Sequence, residues 1–486
     1  MSEVEWVPAA AWVARQAGAK AQGSVLLALT GWPGQALRAH WLDRAGSVLT
    51  QAMRLDRGGF PSASRALPEV GWDEREIRDL LGYKPVGHPD PRPLVRTPRW
   101  PANFFPLDPD GPVATPRFLD REPDNPARVV DGHGVTLMTV GPTHAGVIES
   151  GHFVFSLMGE NILHLDPHLF QNHRGIEAAL AGCDIRTVGP QVTRVCAGDT
   201  VSHQTNWAMG VEQLAAYEAP DILRWRRIVL LEAERILSHL NDLAQIPAGV
   251  GFLVAHQRAL ALKESWQQAL RRAVGHRFLF DTVRPGGAAP IEGETVAGLV
   301  RAFQPGWTAW RRLVEHHHGF QDRMRGVGMV RRAVADRLGA VGVAARAAGL
   351  GFDARCVLPL YGDVDLSPPR LTDGDTLARF RIRLDEVEAA LHILECVGRR
   401  LTGDAPLPMW APPEDLTGEA VTWTESPRGL NVHVMAVREG RIGRYHIRSG
   451  AYRNWPVLAR AVAGNAVGDF PLINKSFELC YSCADR

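Results

Sequence analysis

The sequence has almost no net charge: 54 Lys and Arg stand against 53 Asp and Glu over 486 residues, a balance of +1. That excludes a strong general field toward nucleic acid or an anionic membrane surface, so no nucleic-acid partner is expected. Long apolar runs are missing too. Hydrophobic stretches are broken by Arg, His or Asp well before the ~20 residues a membrane span needs, so any membrane role must come through partner subunits. The opening Met1-Ser2-Glu3-Val4-Glu5 is acidic and lacks a basic stretch followed by an apolar core. A secretory signal is therefore not expected. No internal repeat or low-complexity tract catches the eye. With 45% apolar residues the chain can bury a sizeable core, and a soluble globular class remains.

Cysteine is scarce, with six at positions 183, 196, 356, 396, 480 and 483. In a reducing cytoplasm such a set favours metal or redox use over disulfides. Cys356 and Cys396 stand alone among apolar residues and are expected as small buried hydrophobes. Cys183 is lone as well, though close in the chain to Cys196. The run Cys480-Tyr481-Ser482-Cys483 is different, because Cys196-Ala197-Gly198-Asp199 repeats its spacing with a carboxylate in the last place. Brought together, the two half-motifs would offer three thiolates and one carboxylate, a set suited to nickel, iron or zinc. Alone, Cys480 and Cys483 read equally as a zinc half-site or a redox pair.

The pattern along the chain predicts an α+β protein, mainly a helical bundle with small antiparallel sheets, preceded by a small α+β domain over residues 1–105. Val25–Leu29 is a run of strand length, and Glu69–Leu81 reads as a charged helix with an apolar stripe. A proline-rich stretch from Pro85 to Pro112 cannot be one regular element, so a boundary falls there, with 106–128 as linker and 129–486 as the second domain. Phe153, Phe155 and Leu157 alternate, Gly159-Glu160-Asn161 offers a turn, and Ile162–Leu165 is the returning arm. Trp225, Val229, Ala233, Ile236, Leu240 and Leu243 line one face of a helix, and Leu377–Leu394 steps by three and four in another. Arg284-Pro285-Gly286-Gly287 breaks the helical run between them. Residues 421–448 return to strands, with Arg438-Glu439-Gly440-Arg441 as turn. His316-His317-His318 splays around a helix and reads as a solvated face.

Several ordered blocks together resemble the large subunit of energy-converting nickel–iron hydrogenases of the formate-hydrogenlyase type. They are Gly141–Phe153, His173–Glu177, Arg194–Glu212, Gly275–Phe278, Arg284–Gly287, Glu425–Gly429 and the Cys480–Cys483 pair. That family is homologous to the quinone-site subunit of respiratory complex I, which shares the fold and lacks the cysteines. Trp72–Glu76, Asp79–Gly82 and Gly87–Asp90 resemble the small complex I subunit that abuts it, so the chain reads as a fusion of the two. The resemblance covers nearly the whole sequence.

The resemblance implies a nickel–iron site in which Cys196 and Cys480 are terminal nickel ligands and Cys483 is a bridge to iron. Asp199 takes the other bridge, a harder and less electron-donating ligand than a thiolate. It implies that His203 hydrogen-bonds that bridge, that Arg428 lies beside the iron's diatomic ligands, and that Glu149 passes protons to and from the thiolates. Residue by residue, blander readings stay open. Asp199 can be salt-bridged to an arginine in an emptied site, His203 can be a satisfied buried histidine, and Glu149 can sit in a structural ion pair. His144 matches a loop histidine near a quinone headgroup, while the partner tyrosine's place falls near Ala197, so the quinone pair is incomplete. His173 and Arg174 match residues against the 4Fe-4S cluster of a partner, so a small iron–sulfur subunit is implied. Antiporter-like membrane subunits are implied with it, and a place on the cytoplasmic face of the inner membrane through those partners. The resemblance departs at Glu478-Leu479, where the family reads Asp-Pro. The implied function is a hydrogenase-related, complex-I-like oxidoreductase subunit with a modified site; the alternatives are an active hydrogenase or a docking scaffold.

Overall fold

The apolar run at Val25 lies in the strand Val25–Trp32, an edge of a four-stranded sheet. Ala36–Leu42 and Val48–Arg54 follow antiparallel, and Val4–Trp6 adds a short parallel strand at the far edge. The helix Ala9–Ala21 presses Trp12 and Ala19 onto it, beside Leu26, Leu37, Trp41 and Met53. The computed structural model describes residues 4–32, 36–56, 58–108, 117–121, 126–144, 148–401, 407 and 409–486. Parts of the expected linker (109–116 and 122–125) and Ala145, Gly146 and Val147 of the Gly141–Phe153 block lie outside the described residues.

The expected charged helix is Gly71–Leu81, and its charged side is buried rather than solvated. A facing set of arginines from the far end of the chain explains this. Asp73 pairs with Arg448, Glu76 with Arg486, and Glu69, just ahead of the helix, with Arg453. Asp79 instead accepts the backbone N–H groups of Leu94, Val95 and Arg96. Buried carboxylates need partners of this kind, and these ones seat the N-terminal segment on residues 448–486.

Next comes an antiparallel sheet of Val135–Val140, His152–Met158 and Asn161–His168, turning at Gly159 and Glu160. After the helix Thr200–Leu214, four helices pack as a bundle: Asp221–Ala248, Leu253–Val274, Gly293–Glu315 and Thr376–Gly398. The expected break at Arg284–Gly287 is a tight hairpin between the second and third. The expected apolar stripe of the long helix Asp221–Ala248 is buried except Trp225, which is half-buried. Its other side is buried as well and carries charge. Arg235 pairs with Glu232 and Glu386, Arg346 with Asp353, Glu386 and Glu425, and Arg355 with Glu232 and Asp353. Such a network is tolerated because every ion faces an opposite one. It also hides this second buried face from any reading of hydrophobic periodicity.

The strands Gly418–Ser426, Gly429–Arg438 and Arg441–Arg448 form the last sheet, with its turn at Glu439-Gly440 as expected. Helices Gly450–Val462 and Phe470–Phe477 and the turn Ser482–Asp485 come last. The whole is the expected α+β arrangement of a helical bundle with small sheets. Two expectations fail. Cys356 is exposed, because its turn points Asp353 and Arg355 into the ion network and leaves the residue between them and Val357 facing out. Cys396 is half-buried beside His392, one turn earlier on the outer side of its helix. His316, His317 and His318 are exposed as expected, and His317 caps the helix His318–Met324. Among the described residues no helix is long and apolar enough to cross a membrane.

Candidate metal centre

Two chain reversals bring the half-motifs together. Cys196 follows the short helix Gly189–Thr193, and Asp199 immediately precedes the helix Thr200–Leu214, whose first-turn N–H groups of Val201 and Ser202 are taken by Glu234 rather than by Asp199. On the other side Glu478, in the left-handed conformation at φ 47°, ends the helix Phe470–Phe477 and swings the chain into Leu479-Cys480. The sulfurs of Cys196, Cys480 and Cys483 lie within 4.8 Å of one another. Cys196 Sγ and Cys480 Sγ are 3.2 Å apart, and Cys483 Sγ lies 3.9 Å from Asp199 Oδ2. Cys183, near in sequence, is not among them; its thiol donates to the Ala179 carbonyl.

Arg428 enters this group from the loop between the first two strands of the last sheet. Its guanidinium is held by three acceptors, the Glu478 carbonyl at 2.7 Å, Ser238 Oγ at 2.9 Å and Asp199 Oδ1 at 3.4 Å, and pairs electrostatically with Asp242 Oδ1 at 3.6 Å. A Cβ on Gly198 would stand 2.5 Å from Arg428 Nη1, so glycine at this place lets the cation approach. Burial pushes Asp199 up to about 6, although Arg428 opposes the shift. Among the three thiols Cys480 is the most acidic, held down by the Cys196 and Cys483 thiols beside it and by Arg428. Cys196 and Cys483 are held up, the neighbouring sulfur first and burial adding to it. The arrangement favours one thiolate, on Cys480.

The other expected site residues surround this group in different ways. Glu149 is exposed; it accepts the Ser482 backbone N–H at 2.6 Å and the Ser482 hydroxyl at 2.6 Å. That same hydroxyl lies 3.3 Å from Cys480 Sγ. A hydroxyl therefore stands between the most acidic thiol and a solvent-facing carboxylate. Arg174 binds both cysteine loops at once, donating to the carbonyls of Arg194, Val195 and Ser482. His144 bonds the Gly151 carbonyl at 2.8 Å, with its ring 6.5 Å from that of Tyr481. His173 is half-buried, 6.3 Å from the Trp100 ring, and burial holds it below the usual imidazole range.

His203 is fully buried, and its Nδ1 meets His433 Nε2 at 2.9 Å and Asn431 Nδ2 at 3.2 Å. Its Nε2 is buried with no hydrogen-bond partner among the described residues, and burial pushes the ring down to about 3, so it is neutral. The hydrogen bond to position 199 that the sequence leads one to expect is not made: Asp199 is turned to Arg428 instead. Four contributors escaped the sequence reading. Ser482 carried a signal in its place inside the Cys-x-x-Cys pair. Ser238 and Asp242, one turn apart on the long helix, and the Glu478 carbonyl carried none, since nothing local ties them to Arg428.

This donor set fits a thiophilic or borderline ion bound by Cys196, Cys480 and Cys483 with Asp199 beside them. A second group of possible ligands, Glu76, Glu177 and His446, is also buried and close-set. There the guanidinium groups of Arg486 and Arg444 already supply the cations.

Residues 250–415 match the family model of the respiratory-chain NADH dehydrogenase 49 Kd subunit, and residues 32–117 match that of the 30 Kd subunit. Formate hydrogenlyase subunit 5 of Escherichia coli (strain K12) is 29% identical over 88% of this chain and 77% of its own length. An NADH-quinone oxidoreductase subunit of Salinispora tropica is 30% identical over 69% of this chain and 89% of its own. Among solved structures, one chain of a membrane-bound sulfane sulfur reductase, an archaeal respiratory membrane complex, superposes with a TM-score of 0.68 at 23% identity. It covers 73% of this chain and 99% of its own, and shows the shared fold.

Proposed function

This chain belongs to the family of the respiratory-chain NADH dehydrogenase 49 Kd subunit and its hydrogenase relatives, fused to a 30 Kd-type segment, and from that premise we propose its role. It is the large subunit of a membrane-associated, complex-I-like oxidoreductase with a modified nickel–iron-type site. Residues 1–105 are the 30 Kd-type unit, 106–128 the linker and 129–486 the large-subunit unit. The observation that carries this reading is the meeting of three thiols and one carboxylate around a single arginine.

Cys196, Cys480, Cys483 and Asp199 would hold nickel and iron, which supply a redox-active centre when bound. The chain's own residues set the terms around it. Arg428 keeps one positive charge against the ligands and holds Asp199 in place. Ser482 passes a proton between Cys480 Sγ and Glu149, and Glu149 exchanges it with solvent. Arg174 fixes the two cysteine loops relative to each other, so the sulfurs stay converged. His173 and Arg174 would lie against the 4Fe-4S cluster of a small iron–sulfur partner, which would supply the electron connection to this chain. Antiporter-like membrane subunits place the assembly on the cytoplasmic face of the inner membrane.

A second reading, hydrogen turnover at this site, is favoured by the Cys480–Ser482–Glu149 line and opposed by the carboxylate at position 199. The deciding experiment measures nickel and iron per chain in the complex from its native host, followed by hydrogen assays. Near-stoichiometric nickel supports the loaded site. Iron confined to the partner's clusters, without nickel, would leave this chain a relay or a docking scaffold.

A further inference from the structure

Three residues after Cys483 stands Arg486, a charged side chain only 3% exposed. Arg486 donates from Nε to Glu177 Oε1 at 2.8 Å and from Nη2 to Glu76 Oε1 at 2.6 Å. Its guanidinium lies 4.8 Å from the centre of the Tyr452 ring. Glu177 is held in turn by Arg444 and by the Ile447 backbone N–H. Glu76 comes from the helix Gly71–Leu81 of the N-terminal segment, which Asp73–Arg448 pins to the same region. The two carboxylates thus grip one cation from opposite parts of the chain, next to the turn that carries Cys480 and Cys483.

We propose that Arg486, seated between Glu76 and Glu177, is the latch that positions the Cys480–Cys483 turn, so that the fused N-terminal segment is a working part of the cysteine pocket. The proposal rests on the reading of these cysteines as one ligand pocket. Arg486 is a positioning residue: it touches no ligand atom and acts by fixing the backbone that presents Cys483. Three of the turn's other ties, the Arg174 backbone N–H to the Asp485 carbonyl, the Arg174 side chain to the Ser482 carbonyl and Ser449 Oγ to the Cys483 carbonyl, hold its carbonyl edge. Among the described residues Arg486 makes this turn's one hydrogen bond to the N-terminal helix, beside the apolar packing of Leu80 in the cluster that holds Cys483 and Ala484.

The test is cysteine-resolved alkylation of the full-length, reduced, metal-free chain with iodoacetamide, read by mass spectrometry. Cys483 is fully buried and reacts only when the turn opens, whereas Cys356 is exposed and reports reagent activity. Loss of one charge-assisted bond should raise the opening equilibrium roughly tenfold. Glu76→Gln and Arg486→Ala are expected to speed alkylation of Cys483 by about that factor or more, leaving Cys356 unchanged, while Arg486→Lys recovers part of the protection. Wild-type rates at Cys483 in both Glu76→Gln and Arg486→Ala would overturn the proposal. Equal acceleration at Cys483 and Cys196 together with a general loss of thermal stability would also overturn it, since that reports global loosening. The readout needs no metal, so a native complex without nickel would sink the metal reading and leave this comparison standing.

Discussion

Replacing Arg428 by methionine removes the cation on which the pocket depends and keeps much of its bulk. Three acceptors lose their donor and Asp242 loses an ion-pair contact, but the losses are unequal. Asp242 retains Arg383, whose Nε lies 3.0 Å from its other oxygen, and Ser238 and the Glu478 carbonyl lose a donor without being left as charges. Asp199 is fully buried, and Arg428 is its one ion-pair partner among the described residues. Breaking one side of a buried pair is worth roughly 3–5 kcal/mol when the remaining charge stays ionised. Asp199 can escape part of this by taking a proton, because burial already lifts it to about 6. The loss should therefore be pH-dependent. At pH 5 Asp199 is largely protonated in both proteins and the substitution removes hydrogen bonds, about 1–2 kcal/mol. At pH 8 it strands a charge and approaches the larger figure. Arg428→Lys keeps the charge but not the fork, and should fall between. A chain of this length need not unfold in one step, so the assay is urea unfolding read at Cys483 by pulsed alkylation. Values for Arg428→Met within ~0.5 kcal/mol of wild type at both pH 5 and pH 8 would refute the reasoning, because exposed side chains behave that way.

Other outcomes follow from the same geometry. Asp199→Cys, if the carboxylate is the only defect of the ligand set, should raise nickel retained per chain; unchanged nickel would mean that another residue limits binding. Ser482→Ala removes the hydroxyl between Cys480 and Glu149 and should slow any proton-coupled turnover of the complex by roughly 100-fold with metal content unchanged, and Ser482→Thr should restore it. Equal turnover in Ser482→Ala would show that protons leave by another path. Glu234 is buried on the long helix, accepts from Val201 and Ser202, and is pushed up to about 8, chiefly by burial. A raised carboxyl gives its full stability below the unfolded value of 4.5 and loses it as pH climbs through about 8. Glu234→Gln should therefore gain on wild type across that window, by at most about 1.4 kcal/mol per pH unit. Parallel stability profiles of the two proteins would contradict it.

Much was legible in the sequence because it is written locally. Alternation at Phe153–Leu157, the turn at Glu439-Gly440 and the three-four spacing of Leu377–Leu394 are short-range patterns, and a strand or helix needs little else to declare itself. The half-motifs at Cys196 and Cys480 were legible for a related reason: each is held in four consecutive residues, and matching spacing suggests a shared site. What the sequence could not decide was which buried charges meet. The helix Gly71–Leu81 looks solvated until Arg448, Arg453 and Arg486 arrive from residues hundreds of positions away. The polar side of the long helix looks like a surface until Arg355 and Glu386 meet its Glu232 and Arg235. Likewise His203 and Asp199 lie one helical turn apart, yet Asp199 turns to Arg428 and His203 to His433. Hydrophobic burial follows from a residue's own character, so it can be read position by position. An ion pair is a property of two places at once, and only the tertiary structure supplies the second.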